Sequence, residues 1–372
     1  MAILFAYFYL NNWKVLGLSN STVVKALFYF VAIVVIINTL WSPFIDQSQE
    51  KRIPSYFHSL FYVYNYLVFG ASIILTQKYG RKALVYTAYA VGTSLILQSG
   101  ISILTGLGTS RDALFFNNPN QLGYYALLAG SLLIYAVRVI KINTIFQVVA
   151  YLSFLYLTLL SASKAALAGS VILVTLAVLG QGLLNWRQFI ALTLAVGIGY
   201  YLITEGGAVT ELFTYSTERF STIGESGDDS IEGRGYDRIF NEPEYIFLGA
   251  GEGGYYRFDT LLKAGEIHST FGTIIFCYGV LGFTVFFRFL AKVFKGSSLF
   301  ELLYFVPIAA YSVTHQGLRS TLFWVFLAVI YLLNRYKLAN QPRKIVGSKN
   351  IKNHNSPHFS KYPLKRPTQV HA

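Results

Sequence analysis

Residues 24–41 read "VKALFYFVAIVVIINTLW", a run in which Lys25 is the only charged residue. An α-helix rises 1.5 Å per residue, so a helix of this length spans about 27 Å, close to the thickness of a bilayer's hydrocarbon core. Nine further apolar runs of at least 16 residues follow, at 56–77, 83–104, 122–137, 143–160, 165–183, 188–204, 269–287, 299–315 and 320–336. The pattern predicts an all-α fold, a polytopic bundle of about ten transmembrane helices.

The composition of the whole chain supports this prediction. Of 372 residues, 54% are hydrophobic and 13% are charged, whereas about a quarter of the residues of a soluble domain are charged. Helices are expected because each spanning segment must satisfy its own backbone polar groups in lipid. The first ten residues, "MAILFAYFYL", are apolar but short, and they lack the basic start of a cleaved signal peptide. They are predicted to form a half-span, an interfacial helix or an eleventh span.

Basic residues in the short loops predict the orientation of the bundle. With the C-terminus in the cytoplasm, the loops that carry Lys14 and Lys25, Lys78 to Lys82, Arg138 and Lys141, Arg187, and Arg288 to Lys295 all fall inside. The predicted organisation is an N-terminal segment (1–23), transmembrane helices 1–7 (24–204), a large extracytoplasmic loop (205–268), transmembrane helices 8–10 (269–336) and a basic disordered cytoplasmic tail (337–372).

The net charge of +13 comes largely from the C-terminal end, which holds nine Lys or Arg and no acid from residue 335 onward. Such a segment is predicted to lie near anionic lipid headgroups. No folded soluble module is predicted that could shape a groove for DNA or RNA, so nucleic acid is not an expected partner.

The loop at 205–268 is where chemistry is expected. It contains thirteen of the 17 acidic residues and interleaves charge with Phe, Tyr and Gly. Long loops are uncommon in compact proteins unless they are functional or disordered. We expect a small ordered subdomain with short helices, and the single cysteine, Cys277, excludes an intrachain disulfide.

The stretch "LGAGEGGYYRF" (248–258) fits the pattern G-x-G-x-x-G through Gly249, Gly251 and Gly254. This pattern binds dinucleotides only between a strand and a helix of a βαβ unit, and none is predicted here. Two interpretations stay open. The glycines form a tight turn, or their backbone N–H groups form an anion-binding nest.

Two longer stretches, "EGRGYDRIFNEPEYIFLGAGEGGYYRF" (232–258) and "EIHSTFGTIIFCYGVLGFTVFF" (266–287), carry a family resemblance. In order and spacing they resemble the bacterial O-antigen ligase and oligosaccharide repeat-unit polymerase family. Earlier, "NNPNQLGYYALL" (117–128) and "SASKAALAGS" (161–170) resemble that family's "NPN" loop and "SR" element. The chain departs from the family at Lys164, where Arg is commoner, and at Ser269, where Asn is commoner.

The resemblance implies a glycosyltransferase at the outer face of the bacterial cytoplasmic membrane. Such enzymes take a glycan from undecaprenyl pyrophosphate and pass it to an acceptor sugar hydroxyl. A polymerase uses the next lipid-linked repeat unit as acceptor, a ligase uses lipid A core, and we slightly favour a polymerase. No cofactor is expected, and an inverting, metal-independent displacement is expected.

The donor's pyrophosphate requires fixed positive charge, best supplied by planar Arg groups. Arg234 is the first candidate, with Arg238 one turn later. The further candidates for this site are Lys164, Arg257, Arg319, Gly249 and Gly251. The alternative for each Arg is a salt bridge within the acidic loop.

Activation of the acceptor hydroxyl requires a general base within hydrogen-bond reach. The candidates are His268, Glu232, Glu252 and Glu266, with His315 as a weaker one. His268 stands at the start of a predicted span, where a polar capping role is the alternative. Asp228 and Asp229 are adjacent acids that suggest a divalent metal ion, but a solvated turn is the favoured interpretation, so no metal site is predicted.

The main alternative class is a transporter, such as a flippase for lipid-linked oligosaccharides. Transporters commonly carry ionisable residues inside their spans. The ten predicted spans carry almost none, which favours a transferase but leaves carriers of neutral or lipid-linked cargo open.

Overall fold

The computed structural model describes residues 7, 10, 11, 21–46, 55–105, 111–179, 208–221, 230–258 and 265–340. Every regular element in these ranges is helical, as the sequence predicts. The predicted span 188–204, the adjacent acids Asp228 and Asp229, and the tail from residue 341 lie outside the described residues.

Thirteen α-helices are described. They are α1 (Thr22–Trp41), α2 (Ser55–Tyr79), α3 (Arg81–Leu104), α4 (Pro119–Val137), α5 (Thr144–Ser161), α6 (Lys164–Leu179), α7 (Ala208–Ser221), α8 (Asp237–Asn241), α9 (Tyr245–Leu248), α10 (Thr270–Val293), α11 (Leu299–Leu302), α12 (Val306–Thr314) and α13 (Thr321–Asn340).

Five helical segments among the described residues are long and apolar enough to cross a membrane. They are Thr22–Phe44, Tyr56–Tyr79, Arg81–Leu104, Thr144–Ser161 and Thr270–Val293, and two shorter apolar helical segments are Lys164–Ala177 and Leu299–Thr314. The chain is therefore a multi-pass membrane protein by the length and composition of its helices. The number of ten spans stays a prediction.

Helix α4 lies at the centre of the bundle, because from Leu122 to Ala136 every side chain except that of Tyr125 is buried. Two glycines allow neighbouring helices to approach closely. A Cβ added at Gly130 would lie 2.6 Å from the Phe154 ring of α5, and one at Gly123 would lie 2.7 Å from the Ser161 hydroxyl. Small residues at helix contacts are typical of membrane bundles, where packing takes the place of the hydrophobic effect.

Two pairings of sequence-distant helices close the bundle. Helix α1 packs along α10, and α2 packs along α13. The predicted span 299–315 is divided into α11 and α12, and Pro307 lies in the first turn of α12, where its missing N–H costs nothing.

The predicted loop subdomain at 205–268 is described only in part. Its described residues form α7, α8 and α9 and the turns around them. Short helices are therefore present there, and a single subdomain over 205–268 stays a prediction.

Candidate functional site

The glycine-rich turn at 249–251 docks into a break in α10. Helix α10 is interrupted at Gly279, whose φ of 65° and ψ of −174° are not helical. Just before the break, the carbonyl oxygens of Phe276 and Cys277 accept the backbone N–H groups of Ala250 and Gly251, each at 2.9 Å. The turn therefore satisfies carbonyls that the interrupted helix leaves without their usual partners.

Glycine is required on both sides of this contact. A Cβ at Gly249 would lie 2.4 Å from the Cys277 carbonyl oxygen, and a Cβ at Gly279 would lie 2.4 Å from the Phe247 carbonyl oxygen. Gly249 also has a φ of 84°, which side chains rarely adopt. Its own N–H donates to the Tyr245 carbonyl. Because these N–H groups are engaged within the protein, the turn interpretation accounts for Gly249 and Gly251 better than an anion nest.

Next to this turn, the Glu252 carboxylate lies at the centre of what we name the buried carboxylate cluster. Its members are Glu252, His58, Tyr62, Tyr278 and Arg319. The Glu252 side chain is 0% exposed, and its Oε1 accepts the hydroxyls of Tyr62 at 2.5 Å and Tyr278 at 2.7 Å. Its Oε2 lies 2.7 Å from Arg319 Nη2 and 3.2 Å from His58 Nδ1.

Charge and burial act in opposite directions on Glu252. Burial raises the pKa of its carboxyl, but the Arg319 guanidinium and the neighbouring His58 imidazole oppose this and hold the pKa below its usual range. Burial likewise lowers the pKa of Arg319, and Glu252 and Glu266 raise it to well above its usual value. The pair is thus ionised, and both Glu252 oxygens are fully engaged.

Glu266 differs from Glu252 in its access to solvent. Its Oε2 lies 2.8 Å from Arg319 Nη1, and its side chain is 37% exposed. Arg319 therefore bridges one buried and one accessible carboxylate. Of these two acids, Glu266 is the one that an acceptor hydroxyl could reach.

A second cluster lies where α12 ends and α10 begins, and we name it the outer junction: Arg234, His268, Thr314 and His315. Arg234 donates through Nη1 to the Thr314 carbonyl oxygen. The backbone carbonyl of Arg234 accepts the His268 N–H at 2.9 Å. The structure thus places Arg234 next to His268, although 33 residues separate them in the chain.

His315 is held at the outer junction by its own contacts. Its ring stacks on that of Tyr311 with centroids 4.3 Å apart, and its Nδ1 lies 2.9 Å from the Thr314 hydroxyl. Its carbonyl accepts the N–H of Thr270, the first residue of α10, at 3.1 Å. The two histidines therefore flank the start of α10.

Ser269 caps α10 and ties the loop to α12. Its hydroxyl accepts the Gly272 N–H at 3.0 Å and the Tyr236 hydroxyl at 2.6 Å. The Tyr236 hydroxyl also lies 2.6 Å from the Val313 carbonyl. Ser269 thus has a structural role as an N-cap.

Arg111, which the sequence pattern did not single out, lies in the same region. Arg111 donates through Nη2 to Asn120 Oδ1 at 2.8 Å and through Nε to the Ser161 carbonyl at 3.2 Å. Asn120 accepts the Tyr311 hydroxyl through its carbonyl at 2.5 Å. The guanidinium groups of Arg111 and Arg234 both lie close enough to the Tyr311 hydroxyl to act on it electrostatically. The feature of the sequence that could have identified Arg111 is its position shortly before the Asn-Pro-Asn turn (118–120).

Lys164 is the first residue of α6, and its side chain is half-buried. The preceding residue, Ser163, interacts with the Tyr311 hydroxyl. Lys164 therefore starts its helix just after Ser161 and Ser163, which contact Arg111 and Tyr311.

The remaining candidates, Arg238, Arg257 and Glu232, lie in the same described segment, 230–258, as Arg234. Arg238 is fully buried in α8 with its guanidinium 5.4 Å from the Tyr255 ring centroid, and this burial lowers its pKa. Arg234 precedes α8 in a turn, so it does not share a helical face with Arg238. Arg257 donates to the Ala250 carbonyl at 2.9 Å, and Glu232 lies half-buried in the turn before Arg234.

Comparison of the chain with protein-family models, with curated proteins and with solved structures finds no match.

Proposed function

We propose that the protein is a membrane glycosyltransferase of the O-antigen ligase and polymerase type, which transfers a glycan from undecaprenyl pyrophosphate to an acceptor sugar hydroxyl. The observation that carries the proposal is the outer junction, where the backbones of Arg234 and His268 pair and the Arg234 guanidinium contacts Thr314, next to His315. These residue types supply what the reaction requires, namely positive charge for a pyrophosphate leaving group and a group that accepts a proton.

The donor pyrophosphate binds between Arg234 and Arg111, with Lys164 as a third cation. Charge-assisted hydrogen bonds from guanidinium groups match phosphate oxygens in geometry as well as in charge. Both guanidinium groups act electrostatically on the Tyr311 hydroxyl near the end of α12, and Lys164 follows Ser163, which also interacts with that hydroxyl. Arg238 is less suited to this role because it is fully buried.

In the proposed reaction, His268 or Glu266 accepts the proton of the acceptor hydroxyl. The hydroxyl oxygen attacks the anomeric carbon, and a new C–O bond forms with inversion. The bond from this carbon to the pyrophosphate oxygen breaks, and its electron pair leaves with undecaprenyl pyrophosphate. Glu252 is less suited as the base because both its oxygens are engaged and its pKa is low.

A polymerase is the favoured member of this class, with a ligase acting on lipid A core as the alternative. In a strain that lacks the gene, a polymerase defect leaves single repeat units on the lipid carrier or on the cell surface. A ligase defect leaves long chains on the lipid carrier. Accumulation of repeat units on the cytoplasmic face would instead support a flippase.

Binding of the leaving group is testable with the purified full chain. The probe is undecaprenyl pyrophosphate, with undecaprenyl monophosphate as the matched control, and the readout is the shift in unfolding temperature. We expect the pyrophosphate to stabilise the protein more than the monophosphate and Arg234→Gln to remove this preference. Equal shifts for both lipids with the wild-type protein would contradict the proposal.

A further inference from the structure

A third charged cluster consists of Arg138, Glu301 and Lys337, and we name it the inner cluster. It lies at the end of the bundle opposite to the outer junction. Arg138 follows α4, Glu301 lies in α11 and Lys337 lies in the last turns of α13. Glu301 Oε1 lies 3.3 Å from Arg138 Nη1 and also contacts Lys337 Nζ. Its Oε2 accepts the Ser298 N–H at 2.9 Å, in a capping box that starts α11.

The charges of the inner cluster do not balance. Two cations share one carboxylate oxygen, so one positive charge remains and the cations repel each other. Among the described residues, Glu301 is the only acid paired with Arg138 or Lys337. The predicted orientation also places Glu301 alone among the 17 acids on the cytoplasmic side. One positive charge of the inner cluster is thus not matched by an acid of the described residues, and an external anion would neutralise it.

The surroundings of Arg138 make such an anion favourable. Its guanidinium carbon lies 5.1 Å from the Tyr304 ring centroid, 5.6 Å from that of Tyr135 and 5.8 Å from that of Phe300. Apolar walls strengthen electrostatic attraction. The hydroxyls of Tyr135 and Tyr304 are buried and have no hydrogen-bond partner among the described residues. The Arg138 and Lys337 side chains remain 24% and 39% exposed, so a ligand can reach both.

Apolar side chains beside the cluster indicate the kind of anion. Leu299, Leu303 and Val306, on and between α11 and α12, are all exposed. Acyl chains cover such a surface in a bilayer, whereas a free phosphate ion does not. We propose that Arg138 and Lys337 bind the headgroup phosphate of an anionic phospholipid, whose acyl chains lie against α11 and α12.

Lipid selectivity of the purified full chain tests this proposal. The probes are phosphatidylglycerol and phosphatidylcholine, and the readout is the ratio of the two lipids retained in native mass spectrometry. The double variant Arg138→Gln/Lys337→Gln should lose about 25-fold of the preference for phosphatidylglycerol, about fivefold for each charge removed. The matched control Arg288→Gln/Lys292→Gln removes two charges near the C-terminal end of α10. Its preference for phosphatidylglycerol should stay within about twofold of that of wild type. Equal losses in both double variants would overturn the proposal.

A variant that should raise the preference for phosphatidylglycerol keeps the test decisive if the double variant does not fold. Glu301→Gln preserves the capping box, since Gln also serves at that position, and removes the competing negative charge. It should therefore raise the preference for phosphatidylglycerol about fivefold, whereas an unchanged or lower preference would show that the three residues only hold the helices together. Inorganic phosphate is the final control. If it raises the unfolding temperature as much as phosphatidylglycerol does, the ligand is not a lipid.

Discussion

Glu252 and Glu266 contact the same guanidinium, yet their environments assign them different roles. Glu252 is enclosed by helices α1, α2 and α10, since its N–H also donates to Asn38 Oδ1 at 2.8 Å. Glu266 keeps more than a third of its side chain in contact with solvent. Glu252 therefore stabilises the fold, whereas Glu266 is accessible to a substrate and can act as a base.

Glu252→Gln should destabilise the protein by about 3 kcal/mol, because it leaves the largely buried Arg319 without its closest counter-ion. Glu266→Gln should cost less than about 1 kcal/mol, as expected for an accessible ion pair. Denaturant unfolding in mild detergent measures both. Equal costs for the two variants would contradict this assignment.

The same ion pair predicts how stability depends on pH. The pKa of Glu252 is lower in the folded protein than the ordinary value of about 4.3. Its stabilising contribution is therefore complete above about pH 4.3 and is lost as the pH falls toward the folded-state pKa. The unfolding temperatures of wild type and Glu252→Gln should begin to approach each other as the pH falls below about 4, and a constant difference down to pH 3 would exclude this mechanism.

Arg234→Lys should lose at least about tenfold in transfer activity while the protein still inserts. The Lys variant keeps the charge but has no guanidinium to donate to the Thr314 carbonyl and to a phosphate together. The measurement is glycan transfer in membranes at matched protein levels. Arg288→Lys, an exposed position at the inner end of α10, is the control and should retain full activity. Wild-type activity in Arg234→Lys would exclude a bidentate role.

At the scale of the elements, the sequence predicts helices well and their interruptions poorly. Apolar runs report length and burial, so the bounds of α3 and α5 differ from the predicted 83–104 and 143–160 by at most two residues. The sequence does not predict the break at Gly279, because a glycine in an apolar run is compatible with both a continuous and an interrupted helix. The sequence also does not predict the contacts of Arg111 and His58, because their partners are distant in the chain. Their contacts, Ser161 and Glu252, are 50 and 194 positions away.

The contact between the glycine turn and the break in α10 should be intolerant of any side chain. Gly249→Ala and Gly279→Ala each place a Cβ 2.4 Å from a backbone oxygen that cannot move away easily. Each should cost about 2 kcal/mol or more, through strain and through loss of the two hydrogen bonds. Gly265→Ala, where an added Cβ meets nothing within 4 Å, is the control and should change stability by less than about 0.5 kcal/mol. Thermal unfolding in detergent compares the three, and a Gly279→Ala variant as stable as the control would refute the proposed docking.

For the whole molecule, orientation is the prediction on which the proposed function depends. The outer junction and the inner cluster lie at opposite ends of α10, α12 and α13. If basic loops stay in the cytoplasm, the outer junction faces the exported lipid-linked glycans.

Cysteine labelling in intact cells tests this orientation. In a Cys277→Ser background, a membrane-impermeant thiol reagent should label Glu244→Cys, in the same described segment as Arg234, and should not label Lys295→Cys, after α10. Both residues are exposed, so both should react after permeabilisation. The reverse pattern would place the outer junction in the cytoplasm, where nucleotide sugars are the donors, and the proposed reaction would be wrong.

The packing of α1 along α10 also has a consequence for biogenesis. Helix α1 ends at Trp41 and α10 begins at Thr270, so about 230 residues must be synthesised before the two can meet. At the usual 5–20 residues per second, this takes roughly 10–50 s. During this interval the face of α1 that carries Phe30 and Val34 has lipid or an insertion factor as its neighbour in place of α10. The N-terminal helix is thus the first described span to enter the membrane and among the last to reach its final position.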